Sequence, residues 1–232
     1  GEVKRAIGRL GKGKAAGEDG VLNECIKYGG EGVEKALLIL CNRCMDEERV
    51  PEEWYRGIIF PIYKAGDRRD PDSYRGISLL AVVSKLYEDI LNKRLCKWLE
   101  DRSLIAEEQG GFRTGRGCRD QLFVLESILG ERKKKKTYCL YIDLRKAYDR
   151  VWREGLWWKM WRIGIRGKIW RVIRNLYKRT VASVRVAGGV SEPFETKCGV
   201  KQGGVLSPIL FTIYVNDLVD KVMSLNRGVR VG

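Results

Sequence analysis

Apolar residues along the chain recur with two different periods, and the switch between them divides it into elements. A period near 3.6 puts Val33, Leu37, Leu40, Cys41 and Cys44 on one face of residues 31–49, which predicts a helix ending before Pro51. The same period runs through roughly 80–101, with Val83, Leu86, Tyr87, Ile90, Leu91, Trp98 and Leu99 inward. It returns at about 119–134 through Leu122, Leu125, Ile128 and Leu129, closed by the basic run Arg132–Lys136, which suits a helix C-terminus or a solvated turn. Two more helices are expected in 150–180, broken near Gly164–Gly167. A last one runs to Val222, with Pro208 near its start and Ser207 as its cap.

Period two marks the strands. In 138–144, Tyr138, Leu140, Ile142 and Leu144 point one way, and Cys139, Tyr141 and Asp143 the other. Residues 57–64 read as a strand whose Pro61 demands an edge or a bulge. Two further strands, 181–186 and 194–200, are joined through Gly188-Gly189. Residues 65–76 and 103–119 are loops, and a short helix before a basic, Gly-rich loop fills 1–20, with a turn at Asp19-Gly20. Asp143 stands at the end of its strand, where a carboxylate must be solvated, paired or metal-bound. On these residues alone, a cap for the next turn and a ligand are equally open readings.

Composition narrows the partners. In 232 residues, 45 Lys and Arg oppose 30 Asp and Glu, a net charge of +15 that calls for a polyanion. Ten of the basic residues lie in 150–180 against the single acid Glu154, beside five of the seven tryptophans. Most of those tryptophans are expected in the core, while a basic face beside aromatics is how a nucleic-acid backbone is held. A membrane surface is the weaker alternative, raised by basic helices rich in Trp; no apolar run approaches the ~20 residues of a span, and no apolar leader is visible at the start. Histidine is absent, so acid–base and metal chemistry falls to carboxylates, Lys, Tyr, Cys and backbone. The seven cysteines are scattered, which suggests a reducing compartment. Cys41 and Cys44 form a C-x-x-C inside an apolar helical run, which reads as core rather than zinc.

Three features carry candidate chemistry: Asp143, the Gln202-Gly203-Gly204 turn before a helix, and the Lys64/Arg75 pair flanking a loop. Glycines allow close backbone approach to a ligand, and Lys and Arg grip a triphosphate as a point charge and a fork. Each is weak alone, but their order resembles a known family. Tyr141-Ile142-Asp143-Leu144-Arg145-Lys146-Ala147-Tyr148-Asp149 is similar to the first catalytic motif of reverse transcriptases. Gly199-Val200-Lys201-Gln202-Gly203-Gly204-Val205-Leu206-Ser207-Pro208-Ile209-Leu210-Phe211 resembles their second palm segment. Tyr74–Leu80, Gln109–Arg113 and Gly13–Gly20 resemble finger segments of the non-LTR (LINE-type) retrotransposon enzymes.

The resemblance implies an α+β right-hand polymerase fold. Mostly helical fingers would occupy 1–136, including the basic segment 1–20, and a partial palm 137–232. The palm would be an antiparallel sheet of 138–144, 181–186 and 194–200 with helices on one face, and the 57–64 strand would belong to the fingers. It implies that Asp143 is the catalytic aspartate and, with the Leu144 carbonyl, a ligand of two Mg2+ ions, with Mn2+ as a substitute. Two-metal sites need clustered carboxylates around ions ~3.5–4 Å apart. Lys64 and Arg75 would hold the triphosphate, and Gln202 and Gly203 would line the nucleotide pocket. Tyr148 would be the steric gate against a 2′-hydroxyl, where Phe is commoner, and Asp149 would brace the turn. Lys14, Arg113 and Arg116 would contact nucleic acid. The implied partners are RNA template, DNA primer and dNTP, without a membrane, and the implied location is at nuclear DNA.

One departure stands out. The family's third palm motif ends in two adjacent aspartates, and no Asp-Asp pair occurs in this sequence. Asp217 and Asp220 are poor substitutes. The chain stops at Gly232, about where that motif would follow, so a fragment truncated before the third motif and thumb is expected. Alone it would be inactive and would self-associate through the sheet edge left open. The alternative is a non-catalytic module, from a degenerate copy, that binds RNA or RNA–DNA hybrid.

Overall fold

The computed structural model describes residues 1–132 and 135–225. The helical elements are α1 (Glu2–Arg9), α2 (Asn23–Lys27), α3 (Gly30–Glu47), α4 (Val82–Glu100), α5 (Cys118–Glu131), α6 (Arg153–Arg162), α7 (Gly167–Asn175) and α8 (Ser207–Ser224). The strands are β1 (Arg56–Tyr63), β2 (Tyr74–Leu79), β3 (Val181–Val186), β4 (Gly189–Val190) and β5 (Phe194–Glu195). The long helices fall where the 3.6 period put them. α3 ends as Glu48 turns left-handed at φ +55°, three residues before Pro51. Two residues of the basic run, 133 and 134, lie outside the described residues, as do Val229-Arg230-Val231.

One apolar cluster joins α3, α4, α6, α7 and α8, with Leu91, Leu99, Leu156, Met160, Val172 and Leu210 fully enclosed. It crosses the expected boundary at 136/137. Cys41 and Cys44 belong to this core, and burial pushes their thiols up to about 12 and about 11, so both stay protonated packing groups. No helix among the described residues is long and apolar enough to cross a membrane.

The sheet corrects the expectation of an antiparallel palm. It is mixed, in the order β2-β1-β3-β4, with β5 also on β3. β1 pairs antiparallel with β2 from Ile58↔Leu79 to Tyr63↔Tyr74, and parallel with β3 from Arg56↔Val181 to Ile59↔Val184. The strand expected in the fingers thus shares a sheet with one expected in the palm. From Phe60 onward β1 is paired only with β2, and Pro61 lies in that half-edge stretch, where a missing donor is tolerated.

Residues 138–144 form no ladder among the described residues, and Tyr138 and Leu140 are 90% and 85% exposed. Alternation shows that a segment can sit in a sheet. It does so only where a neighbour offers hydrogen bonds, and β1 and β3 are already paired to other strands. The predicted 194–200 strand shrinks to Phe194–Glu195 for a different reason. The amides of Gly199 and Val200 bond instead to Val151 O and Tyr148 O, each at 2.8 Å. α5 forms as expected, started by Asp120, which accepts from Gly117 N at 2.6 Å, but it contributes no buried residue. Its expected inward face is open to solvent at Leu122 and Leu129.

Candidate nucleotide site

The loop after β5 is built around positive φ angles, +83° at Gly199 and +119° at Gly203, which only glycine adopts without strain. Gln202 O accepts from Ser78 N at 2.7 Å, so the loop lies against β2. A Cβ at Gly203 would stand 2.6 Å from Ser78 O. The glycines therefore serve an approach of backbone to backbone inside the fold, where the sequence pattern suggested approach to a ligand. With its amide oriented by its partners, Gln202 donates to Gly76 O at 2.7 Å and accepts from Arg75 Nε at 3.3 Å. Two of the expected nucleotide residues are thus in contact, although 127 positions apart (202 − 75).

A second piece is the turn 146–150. Lys146 is left-handed at φ +51°, and its carbonyl accepts from Asp149 N and Arg150 N at 3.1 and 3.2 Å. Arg145 and Lys146 reach Asp72 at 2.6 and 2.5 Å, which fastens the turn to the β1–β2 loop that begins at Lys64. The bond and charge of Lys146, with Arg145 beside it, hold the Asp72 carboxyl below the usual range. The Tyr148 ring packs half-buried at 5.2 Å from Phe211, and burial raises its hydroxyl. Tyr148 O accepts from Val200 N, so this turn and the Gln202 loop move as one.

Asp149 lines a cavity of about 440 Å3 together with Gly76, Ser78, Gly199, Lys201 and Gln202. Its backbone braces the turn. Its exposed carboxylate makes no hydrogen bond among the described residues. Asp143 and Leu144 stand outside that cavity lining, both exposed. Asp143 makes no ion pair or side-chain hydrogen bond among the described residues, and these contain no group of three His, Cys, Asp or Glu fit to hold a metal. One carboxylate and one carbonyl do not make a two-metal site, so the residues present do not fit the ions unaided. Asp217 is occupied by Lys159 at 2.7 Å.

The expected nucleic-acid contacts separate. Lys14 is exposed on its loop. Arg113 is internal, its side chain 6% exposed and bidentate to Glu100 at 2.9 and 2.8 Å, with a further bond to Ala106 O at 3.0 Å. Arg116 is tied to Glu107 through both its carbonyl, at 2.8 Å, and its carboxylate. The tryptophans depart from the core expectation. Only Trp157 of the five in 150–180 is buried, Trp170 is half-buried, and Trp152, Trp158 and Trp161 are exposed. Arg162, Arg166 and Arg174 stack on Trp158, Trp161 and Trp170 at 5.2, 5.0 and 5.3 Å from the ring centres.

Three residues behind the loop escaped the sequence reading. Glu88, fully buried on α4, accepts from Val205 N at 2.8 Å and Leu206 N at 3.3 Å. Both amides lead into α8, whose N-cap is Leu206 with no side-chain cap bond, so the cap expected of Ser207 does not form. Ser207 Oγ instead donates to Lys201 O at 2.5 Å. Lys201 Nζ turns inward to Trp54 O at 3.0 Å. Arg153 gathers Gly199 O, Thr196 O, Tyr177 O and Cys198 O at 2.8, 2.7, 3.1 and 3.1 Å. Burial lowers both cations from their usual ranges. The one sequence signal for Glu88 was a charge among apolar positions on the inward face of a helix.

A small mixed sheet among helices, carrying a Gln-Gly loop bonded to an Arg-bearing hairpin, is consistent with the fingers and palm of a polymerase. The chain belongs to the reverse transcriptase (RNA-dependent DNA polymerase) family, whose model matches residues 62–228. It is 34% identical, over 97% of its length, to a probable RNA-directed DNA polymerase from transposon X-element of Drosophila melanogaster, covering 25% of that protein. It is 32% identical over 94% of its length to the RNA-directed DNA polymerase from mobile element jockey of the same species, covering 24% of it. It is 29% identical over 75% of its length to the retrovirus-related Pol polyprotein from type-1 retrotransposable element R2 of Popillia japonica, covering 24% of it. The chain spans about a quarter of the length of the curated relatives it matches.

Proposed function

We propose that this chain supplies the nucleotide-binding part of an RNA-directed DNA polymerase, with fingers in 1–136 and palm in 137–232, acting at nuclear DNA. The observation that carries the reading is the Gln202 bridge to Arg75, which joins two of the segments that resemble the family at one place. Lys64 and Arg75 neutralise the triphosphate of an incoming dNTP. Gln202 and Gly203 line the base and sugar, and the Tyr148 ring excludes a 2′-hydroxyl. RNA template and DNA primer are held through phosphate contacts that include Lys14 and the Arg–Trp stacks of α6 and α7. Mg2+, or Mn2+ in its place, would meet Asp143 and the Leu144 carbonyl, but the remaining carboxylates are not among the described residues.

Binding of a dNTP to the chain on an RNA–DNA primer–template, with Mg2+ in the buffer, tests the reading. Arg75→Ala and Gln202→Ala are expected to weaken dNTP at least tenfold while primer–template binding stays within twofold and falls steeply with salt. Nucleic-acid binding with no dNTP dependence would leave the non-catalytic module as the answer.

Two other outcomes are expected. In primer extension, this 232-residue chain should incorporate no more than its Asp143→Asn variant; a clear excess would mean that a metal site is complete within it. We also expect self-association, now through the exposed apolar residues of α5 and 138–144. Light scattering should show dimers or larger species that Leu140→Lys with Leu122→Lys returns to monomer. A monodisperse monomer of the unaltered chain would refute it.

A further inference from the structure

Gln202 and Gly203 lie against β2, in a loop that is also anchored at both of its ends. At the far end, Val205 N and Leu206 N lie in the two residues that lead into α8. Glu88 accepts from both amides from α4, more than a hundred residues earlier. The fit is close: a Cβ at Gly204 would stand 3.1 Å from Glu88 Oε2 and 2.9 Å from Ser207 Oγ. At the near end, Lys201 is held through Nζ to Trp54 O and through its carbonyl by Ser207 Oγ and Gly204 N.

Charge suits this contact to a carboxylate. Lys201 and Arg153 bring two cations behind the loop, and neither has a carboxylate within ion-pair distance among the described residues. Glu88 is fully buried on that side, and its charge opposes the effect of burial on Lys201. A carboxylate in this low-dielectric setting makes strong bonds to amides and offsets the Lys201 cation. Its second oxygen has no hydrogen-bond partner among the described residues, so the site is held by charge and by two amides only.

We propose that Glu88 is a positioning residue for the nucleotide loop. From α4 it clamps Val205 and Leu206 and so sets where Gln202 meets Arg75, without itself reaching the nucleotide. The inference rests on the reading of Gln202 as a nucleotide-lining residue. Glu88→Ala leaves both amides without this acceptor and Lys201 without its opposing charge. Glu88→Gln keeps an acceptor oxygen and the side-chain volume but removes the charge.

The test uses the whole chain with two readouts. Hydrogen exchange of peptides across 199–206 reports the clamp, and dNTP affinity on an RNA–DNA primer–template reports its consequence. Leu95→Ala, fully buried on the same helix, serves as the control for general loss of stability. Glu88→Ala should speed exchange in 199–206 at least tenfold beyond Leu95→Ala and weaken dNTP by tenfold or more. Glu88→Gln should fall between it and the unaltered chain on both, and carries the test if the alanine variant does not fold. Leu95→Ala should leave dNTP affinity within twofold. The proposal is overturned if the Glu88 variants bind dNTP as the unaltered chain does, or if Leu95→Ala weakens it equally. If the unaltered chain binds no dNTP, the polymerase reading fails instead, and unchanged exchange in 199–206 would still sink the clamp.

Discussion

Gly199→Ala should cost the domain about 3–4 kcal/mol, summing left-handed strain of ~1–3 kcal/mol and a similar overpacking term. Gly199 sits at φ +83°, and an added Cβ would stand 2.8 Å from Asp149 O and 2.9 Å from Tyr148 O. Neither backbone atom is free to retreat. Tyr148 O is bonded to Val200 N, and Gly199 N is bonded to Val151 O. The substitution therefore pries the Tyr148 turn from the Gln202 loop. Gly188→Ala is the comparison, since Gly188 has φ +105° but nothing within 4 Å of its would-be Cβ. It should lose only the strain, ~1 kcal/mol. Urea denaturation of both variants measures the difference, and equal losses would show that the contact with 148–149 is not what matters.

Arg153→Met should be similarly severe, at ~4 kcal/mol, because hydrogen bonds from a charged donor are worth ~1.5–3 kcal/mol each and are not additive. Methionine fills the space but leaves the carbonyls of Gly199, Tyr177 and Cys198 without their side-chain donor, and Thr196 O with Thr180 Oγ1 alone. The guanidinium also lies 5.4 Å from the centre of the Tyr177 ring, a stack that Met replaces with dispersion alone. Arg153→Lys keeps the charge and three donors but not the planar fork, and should recover less than half of the loss. Burial lowers the pKa of Arg153 from a reference of 12.5, and the group remains protonated at neutral pH. The loss should therefore be the same at pH 6 and pH 8. A loss that disappears toward either value would point to a titrating neighbour instead.

The parts of the candidate site that were legible are local. Arg75, Tyr148 and Gln202 stand in short runs whose residue types mark them as candidates, and the two glycine kinks at 199 and 203 follow from side chains that are absent. What misled was periodicity without a partner. The 138–144 alternation is as regular as that of β3, yet β3 found β1, β4 and β5 while 138–144 found none among the described residues. The α5 stripe is likewise sound as a helix and idle as a core. Arg113 and Arg116 looked like phosphate contacts because a basic residue in a Gly-rich loop carries no mark of the carboxylate that claims it.

By itself the sequence determined the helices, the glycine turns, the basic excess and the family, since each depends on residue type or on spacing within one or two turns. The tertiary structure alone decided the partners. It set β1 between β2 and β3, put Gln202 on Arg75, gave Arg113 to Glu100, and brought Glu88 from α4 to the amides that lead into α8. A hydrogen bond or an ion pair is decided by distance in space. That distance is created only when the apolar faces pack, and no local pattern records it.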